Sequence, residues 1–299
     1  MLYQLPLPDE FYLGYSGRLA RSSGCSSLRA QKIIAAKFPS ANPAQKKRYL
    51  IELLAQAANA DFADFVLAHT LLPYQHAIRW NDTLIKHGEP KRLPFMCRAA
   101  TRILRPGGYL CAQCIADDFE LHGPSYWRRA HQLPGIYLCS DHRTPLHYLG
   151  GRDVFDLAPS AALEFANSVG DEIAMEAATS PFVSEFVRLS NVTMTSKRPL
   201  STHIAYKIFN LKESRIDYTL REQAPAPHRL LSDQILAAFP RSWLEATLPE
   251  TLKKKRGQFS RIDRVLLRSP NAGSWIAYLL AFCVVPAAAA RFEEMVSSA

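Results

Sequence analysis

Several signatures of catalysis are missing from this chain. It has no G-x4-G-K-[ST] phosphate loop, no G-x-S-x-G elbow and no paired carboxylates in a pattern suited to a cleft. NTPase and hydrolase readings are excluded on that ground, and the chain is read as non-enzymatic. Cysteine is scarce, with six residues in 299, and Cys25, Cys97 and Cys283 stand alone. A dense disulfide scaffold is therefore excluded, and the remaining thiols fit a reducing cytosol. The opening MLYQLPLPDEFYLGYSGR has no basic stretch followed by an apolar one, so no signal peptide is expected. The most apolar stretch, from Trp275 to Ala290, is 16 uncharged residues, contains Pro286 and meets RFEE at once. It reads as a buried helix broken near Pro286, not as a membrane span. There is no repeat of 20–50 residues and no low-complexity tract.

What is present is apolar and mildly basic. Apolar residues make up 48% of the chain, enough for a substantial core, so wholesale disorder is excluded. The net charge of +9 leans toward nucleic acid or an acidic partner and says nothing of fold. Apolar spacing is helical along most of the length. Asp9 is placed to cap a helix running to Gly24, with Phe11, Tyr15 and Leu19 inward. Ser26 and Ser27 open a second, with Leu28, Ile33, Ile34 and Phe38 inward. Two short helices about a glycine turn are similar to half of a helix-turn-helix unit, and also to a packing αα-hairpin. Residues 44–69 give one or two further helices, and the polar stretch 190–202 reads as a linker. A helix is expected from Pro124, carrying Tyr126, Trp127 and Ala130. GIYLC is expected as a strand with 144–149 as its partner.

Two pairs of soft ligands stand out. Cys111 and Cys114 form one C-x2-C pair, and Cys139 and His142 follow after 24 intervening residues. Each pair puts two donors on one turn, and the two pairs together close a tetrahedron. Three thiolates and one imidazole suit a structural Zn2+. A closed set of four protein donors leaves no place for a reactive water. His131 and His147 lie nearby as alternative donors, but only His142 sits three residues from Cys139. A second feature is the cationic stretch Lys253, Lys254, Lys255 and Arg256. It is followed by an expected helix with Arg261, Arg264 and Arg268 on one face. It fits contact with DNA phosphates, and equally a solvated surface. The fold class expected is mainly α, with helix-turn-helix-like bundles and an inserted zinc-ribbon-like module. The segments are 1–94 (N-terminal helical), 95–155 (zinc-binding) and 156–299 (C-terminal helical, with the basic helix).

The run from Cys111 and Cys114 through Tyr126-Trp127-Arg128-Arg129 and His131-Gln132-Leu133-Pro134 to Cys139, His142 and Leu146 resembles the TniQ/TnsD family of transposon target-selection proteins. The N-terminal Asp9, Glu10 and Arg18 and the segment HTLLPYQHAI also look like that family. The resemblance implies a non-catalytic, cytoplasmic and nucleoid-associated adaptor in DNA transposition. It would link target DNA, or a guide-RNA CRISPR effector complex, to an AAA+ ATPase transposition regulator. A homodimer is open, and no membrane is implied. DNA-reading members are usually longer, so a short member and part of a longer chain both fit. Some members carry a second cysteine pair, which residues 150–200 lack. The alternative function is a stand-alone, sequence-specific, zinc-containing DNA-binding regulator.

Overall fold

A computed structural model describes residues 4–38, 48–79, 86–89, 93–151, 153–209, 230–266, 274–285 and 287–298. Helix dominates the described residues, and strands are few and short. The chain divides into two compact units, Met1–Leu72 with His87–Asp171 and Pro73–Lys86 with Glu172–Ala299. This differs from the three segments expected. The N-terminal helices and the cysteine segment fall within a single unit, where the Arg129–Asp9 ion pair and backbone hydrogen bonds between Phe11 and Trp127 and between Arg129 and Asp9 tie them together.

In the first unit, Tyr12–Ser22 and Ser27–Lys37 form the expected helix pair. Gly24 takes a left-handed φ of +60° in the turn between them, where a side chain would be strained. Ser26 caps the second helix by accepting from the Arg29 N–H at 3.4 Å. Asp9 does not cap the first. Its own φ is +54°, and its carboxylate is engaged elsewhere. Ala30 and Ile34 are the inward residues of the second helix, whereas Leu28 and Ile33 face solvent, contrary to expectation. Helices Leu50–Ala57 and Phe62–His69 follow, the latter capped by Asp61 on the Ala63 and Asp64 N–H groups.

A three-stranded antiparallel sheet then frames the cysteine segment. Gly108–Leu110 pairs with His147–Leu149, which pairs with Asn167–Ser168. The return strand thus pairs with the chain entering Cys111, not with GIYLC as expected. At GIYLC the pairing shrinks to an isolated bridge from Leu138 to Pro145. Ala112–Leu121 is a helix directly after Cys111. The helix expected at Pro124 is absent. Instead Arg128 bridges to Glu10, and a 3-10 turn forms only at Ala130–Gln132, with Arg129 already helical before it.

The second unit is built on Pro181–Thr195, Leu231–Ala238, Arg241–Thr247, Trp275–Val284 and Ala288–Ser297. A two-residue parallel pair joins Ile78–Arg79 to Leu200–Ser201. Aromatic rings fill its core, with Phe186 5.1 Å and Phe239 5.2 Å from Trp243, and Phe282 stacked 4.8 Å from Phe292. The Pro181–Thr195 helix overruns the expected linker. Its buried Ser190 and Thr193 hydroxyls donate back to the Phe186 and Ser190 carbonyls, so their polarity does not end the helix. Trp275–Val284 is buried as expected, and Pro286 lies outside the described residues. No helix among the described residues is long and apolar enough to cross a membrane.

Candidate metal centre

The two ligand pairs meet. The Cys111, Cys114 and Cys139 sulfurs and a His142 nitrogen all lie within 4.8 Å of one another. His142 Nδ1 is 3.7 Å from Cys111 Sγ, 3.4 Å from Cys114 Sγ and 3.5 Å from Cys139 Sγ, and the last two sulfurs are 3.5 Å apart. A tetrahedron with ordinary zinc bond lengths has edges of roughly 3.8 Å between sulfurs and 3.5 Å from sulfur to nitrogen. The donor spacing therefore fits an ion of that size. His131 and His147 are outside this cluster.

Local structure explains the convergence. The Gly108–Leu110 strand delivers Cys111 to the start of the Ala112–Leu121 helix, and Cys114 follows one turn on. On the other side, the Arg143 N–H donates to the Cys139 carbonyl and the Cys139 N–H to the Thr144 carbonyl, both at 2.9 Å. Arg143 adopts a left-handed φ of +58° to close this knuckle. The three cysteines are buried and His142 is half-buried. Without a cation the thiols compete for charge. Hydrogen bonds from Cys114 and Cys139 push the Cys111 thiol well below its ordinary value, while the same sharing pushes Cys114 far up. A divalent cation would relieve this competition, because it stabilises all three as thiolates.

Two neighbours of the cluster were not anticipated. Asp117 Oδ2 lies 2.9 Å from His142 Nε2, so the imidazole donates there and keeps Nδ1 free to face the sulfurs. Asp117 follows Cys114 by three positions on the same helix, which brings both side chains to one face. The Thr144 hydroxyl lies 3.5 Å from Cys111 Sγ. His131 is fully buried, and desolvation pushes it down to about 3, so it stays neutral.

The cluster is fastened to the N-terminus. The Phe11 N–H donates to the Trp127 carbonyl at 2.7 Å, and the Arg129 N–H to the Asp9 carbonyl at 2.8 Å. Asp9 accepts from Arg129 Nε at 2.8 Å and from the Ala130 N–H at 3.1 Å. Arg129 also donates to the Leu67 and Thr70 carbonyls, at the end of the Phe62–His69 helix. His69, expected at a polar edge, is buried, with Nδ1 2.9 Å from the Glu10 carbonyl. Glu10 is fully buried and takes both Nε and Nη2 of Arg18, at 2.9 and 2.7 Å. Trp127 leaves no room at Gly14, where a Cβ would come within 2.7 Å of its own Cβ. Asp9-Glu10, Trp127-Arg128-Arg129 and His69-Thr70, distant in sequence, are thus one network.

The TniQ family model matches residues 2–146. Residues 2–146 belong to the TniQ family. That span holds the whole Cys/His cluster and the network around Asp9 and Glu10, while the strand His147–Leu149 that pairs with the chain entering Cys111 lies just beyond it. No curated protein matches the chain. The TniQ family is associated with transposition and target selection.

The cationic stretch lies outside the TniQ match and differs from expectation. Residues 257–262 are irregular, and only Asp263–Leu266 forms a 3-10 turn. The reason is Asp263, whose buried carboxylate accepts from Ser232 N and Oγ and from Ser260 N and Oγ at 2.7–2.9 Å. These bonds bind the segment to the Leu231–Ala238 helix and prevent a continuous helix. Lys254 is paired with Asp233 and has a buried ammonium end, and Lys253 reaches Glu250 at 2.9 Å. Lys255, Arg256 and Arg261 are exposed, Arg264 is half-buried, and Arg268 lies outside the described residues.

Proposed function

We propose that the protein is a non-catalytic target-site adaptor in DNA transposition. It links target DNA, or a guide-RNA CRISPR effector complex, to an AAA+ ATPase transposition regulator. The observation that carries this reading is the TniQ match over the region that contains the donor cluster. The chemistry supports it. Cys111, Cys114, Cys139 and His142 supply four protein donors, which favours a closed, structural Zn2+ over a reactive one. The ion would hold the Ala112–Leu121 helix to the Cys139–His142 knuckle. Through Arg129 and Asp9 it would also steady the N-terminal helices. Of the expected phosphate contacts, Lys255, Arg256 and Arg261 are exposed. Lys253 and Lys254 already have carboxylate partners.

The test is co-migration of the purified protein with the AAA+ regulator on target duplex, with and without the guide-RNA effector complex. A complex containing the regulator supports the adaptor. Binding to duplex with no regulator recruited under either condition supports the stand-alone regulator instead. Loss of recruitment on chelation, with the helices intact, would argue against a purely structural metal.

A further inference from the structure

The Ser27–Lys37 helix has a face that the fold does not use. Leu28 is 63% and Ile33 40% exposed, and Arg29, Lys32 and Ala36 are exposed with them. At 100° per residue these five positions fall on one stripe, opposite the buried Ala30 and Ile34. Neither Arg29 nor Lys32 has a side-chain ion pair among the described residues.

Charge indicates what the stripe meets. The chain has no aspartate or glutamate from Phe11 to Ile51, while eight lysines and arginines lie in that interval. Of these, Arg18 is consumed by Glu10, and Arg48 by Glu52. Arg29 and Lys32 project from the outer face with no such use. A polyanion complements this surface, whereas a flat apolar protein partner would not require it. The shape agrees. The Ser27–Lys37 helix follows Tyr12–Ser22 through a tight turn at Gly24, the connectivity in which a helix-turn-helix unit presents its second helix. A helix about 10–12 Å across fits a major groove about 12 Å wide.

We infer that the outer face of the Ser27–Lys37 helix docks in the major groove of duplex DNA. Arg29 and Lys32 meet phosphates or guanine edges there, and Leu28 and Ile33 cover thymine methyls. This rests on the reading that the protein meets DNA, and it places that interaction within the TniQ region.

The experiment is fluorescence anisotropy of the full chain on a mixed-sequence duplex over a range of salt. It compares wild type, an Arg29→Gln/Lys32→Gln variant, and an Arg256→Gln/Arg261→Gln variant. Removing one cation from a phosphate flattens the plot of log K against log salt by about 0.9, so the first variant is expected to lose about 1.8 in slope. Leu28→Ala/Ile33→Ala should keep the slope and weaken the sequence preference in a selected duplex pool. All these side chains are exposed, and unchanged melting curves confirm that the variants fold. A wild-type slope in the Arg29/Lys32 variant, with a reduced one in the Arg256/Arg261 variant, would overturn the inference and leave DNA binding standing elsewhere. No duplex binding by wild type would overturn DNA binding altogether, leaving regulator recruitment to judge the adaptor reading. Retained DNA binding with loss of the effector or regulator complex would make this face a protein interface and overturn the inference too.

Discussion

Glu10→Gln tests the attachment of the N-terminus most directly. The Glu10 carboxylate is fully buried, and Arg18 beside it has a side chain only 8% exposed. The carboxylate accepts two hydrogen bonds from Arg18 and one from the Leu7 N–H at 2.9 Å. An amide of the same shape cannot repeat this. Its NH2 must face the guanidinium in either orientation, at Nε or at Nη2 beside the Leu7 N–H, donor against donor, and the Arg18 charge loses its counter-ion. Removing one member of a buried pair costs about 3–5 kcal/mol. For a unit of this size each kcal/mol moves the melting temperature by about 2–4 °C, so a drop of roughly 6–20 °C is expected. Scanning calorimetry on metal-loaded protein reads it. A double-mutant cycle with Arg18→Gln should show the pair less destabilised than the sum of the singles, by at least about 1 kcal/mol. A Glu10→Gln loss below about 1 kcal/mol, or strict additivity, would refute the argument.

Two other expectations follow from the cluster region. Asp117→Asn should weaken metal binding about tenfold, the low end of the range for such partners because Asp117 is half exposed. Chelator competition measures it, and an unchanged affinity would show that Asp117 does not orient His142. His131 is neutral when folded and takes up a proton near pH 6.5 when unfolded. Its contribution is therefore complete above about 6.5, and stability falls by up to about 1.4 kcal/mol per pH unit as pH drops toward about 3. His131→Gln should reduce the slope of urea stability against pH by one proton, and an identical slope would count against the buried neutral imidazole.

The residues speak clearly where the rule is local. C-x2-C and C-x2-H at Cys111, Cys114, Cys139 and His142 could be read as donors because each pair lies on one turn. Ser26 could be read as a cap because it bonds three residues away. The readings that failed were contests between local preference and distant partners. Asp9 looks like a cap, yet Arg129, 120 positions on, claims its carboxylate. Trp127 and Arg128 have no local reason to leave a helix until Phe11 and Glu10 bridge to them. Arg261 and Arg264 look helical until the Asp263 carboxylate is seen to hold Ser232 and Ser260.

Residue type and spacing alone carry the Cys/His cluster that could hold a metal, the helical character of most of the described residues and the TniQ match over residues 2–146. Those depend on residue type and short spacing, which the chain carries wherever it folds. The tertiary structure decided which carboxylate each buried arginine keeps and that the Asp9-Glu10 turn closes onto Trp127. It also decided which cations face solvent, where an anion can reach them. Burial makes an unpaired charge costly, so each buried cation must find a partner. That choice is made in space and not along the chain.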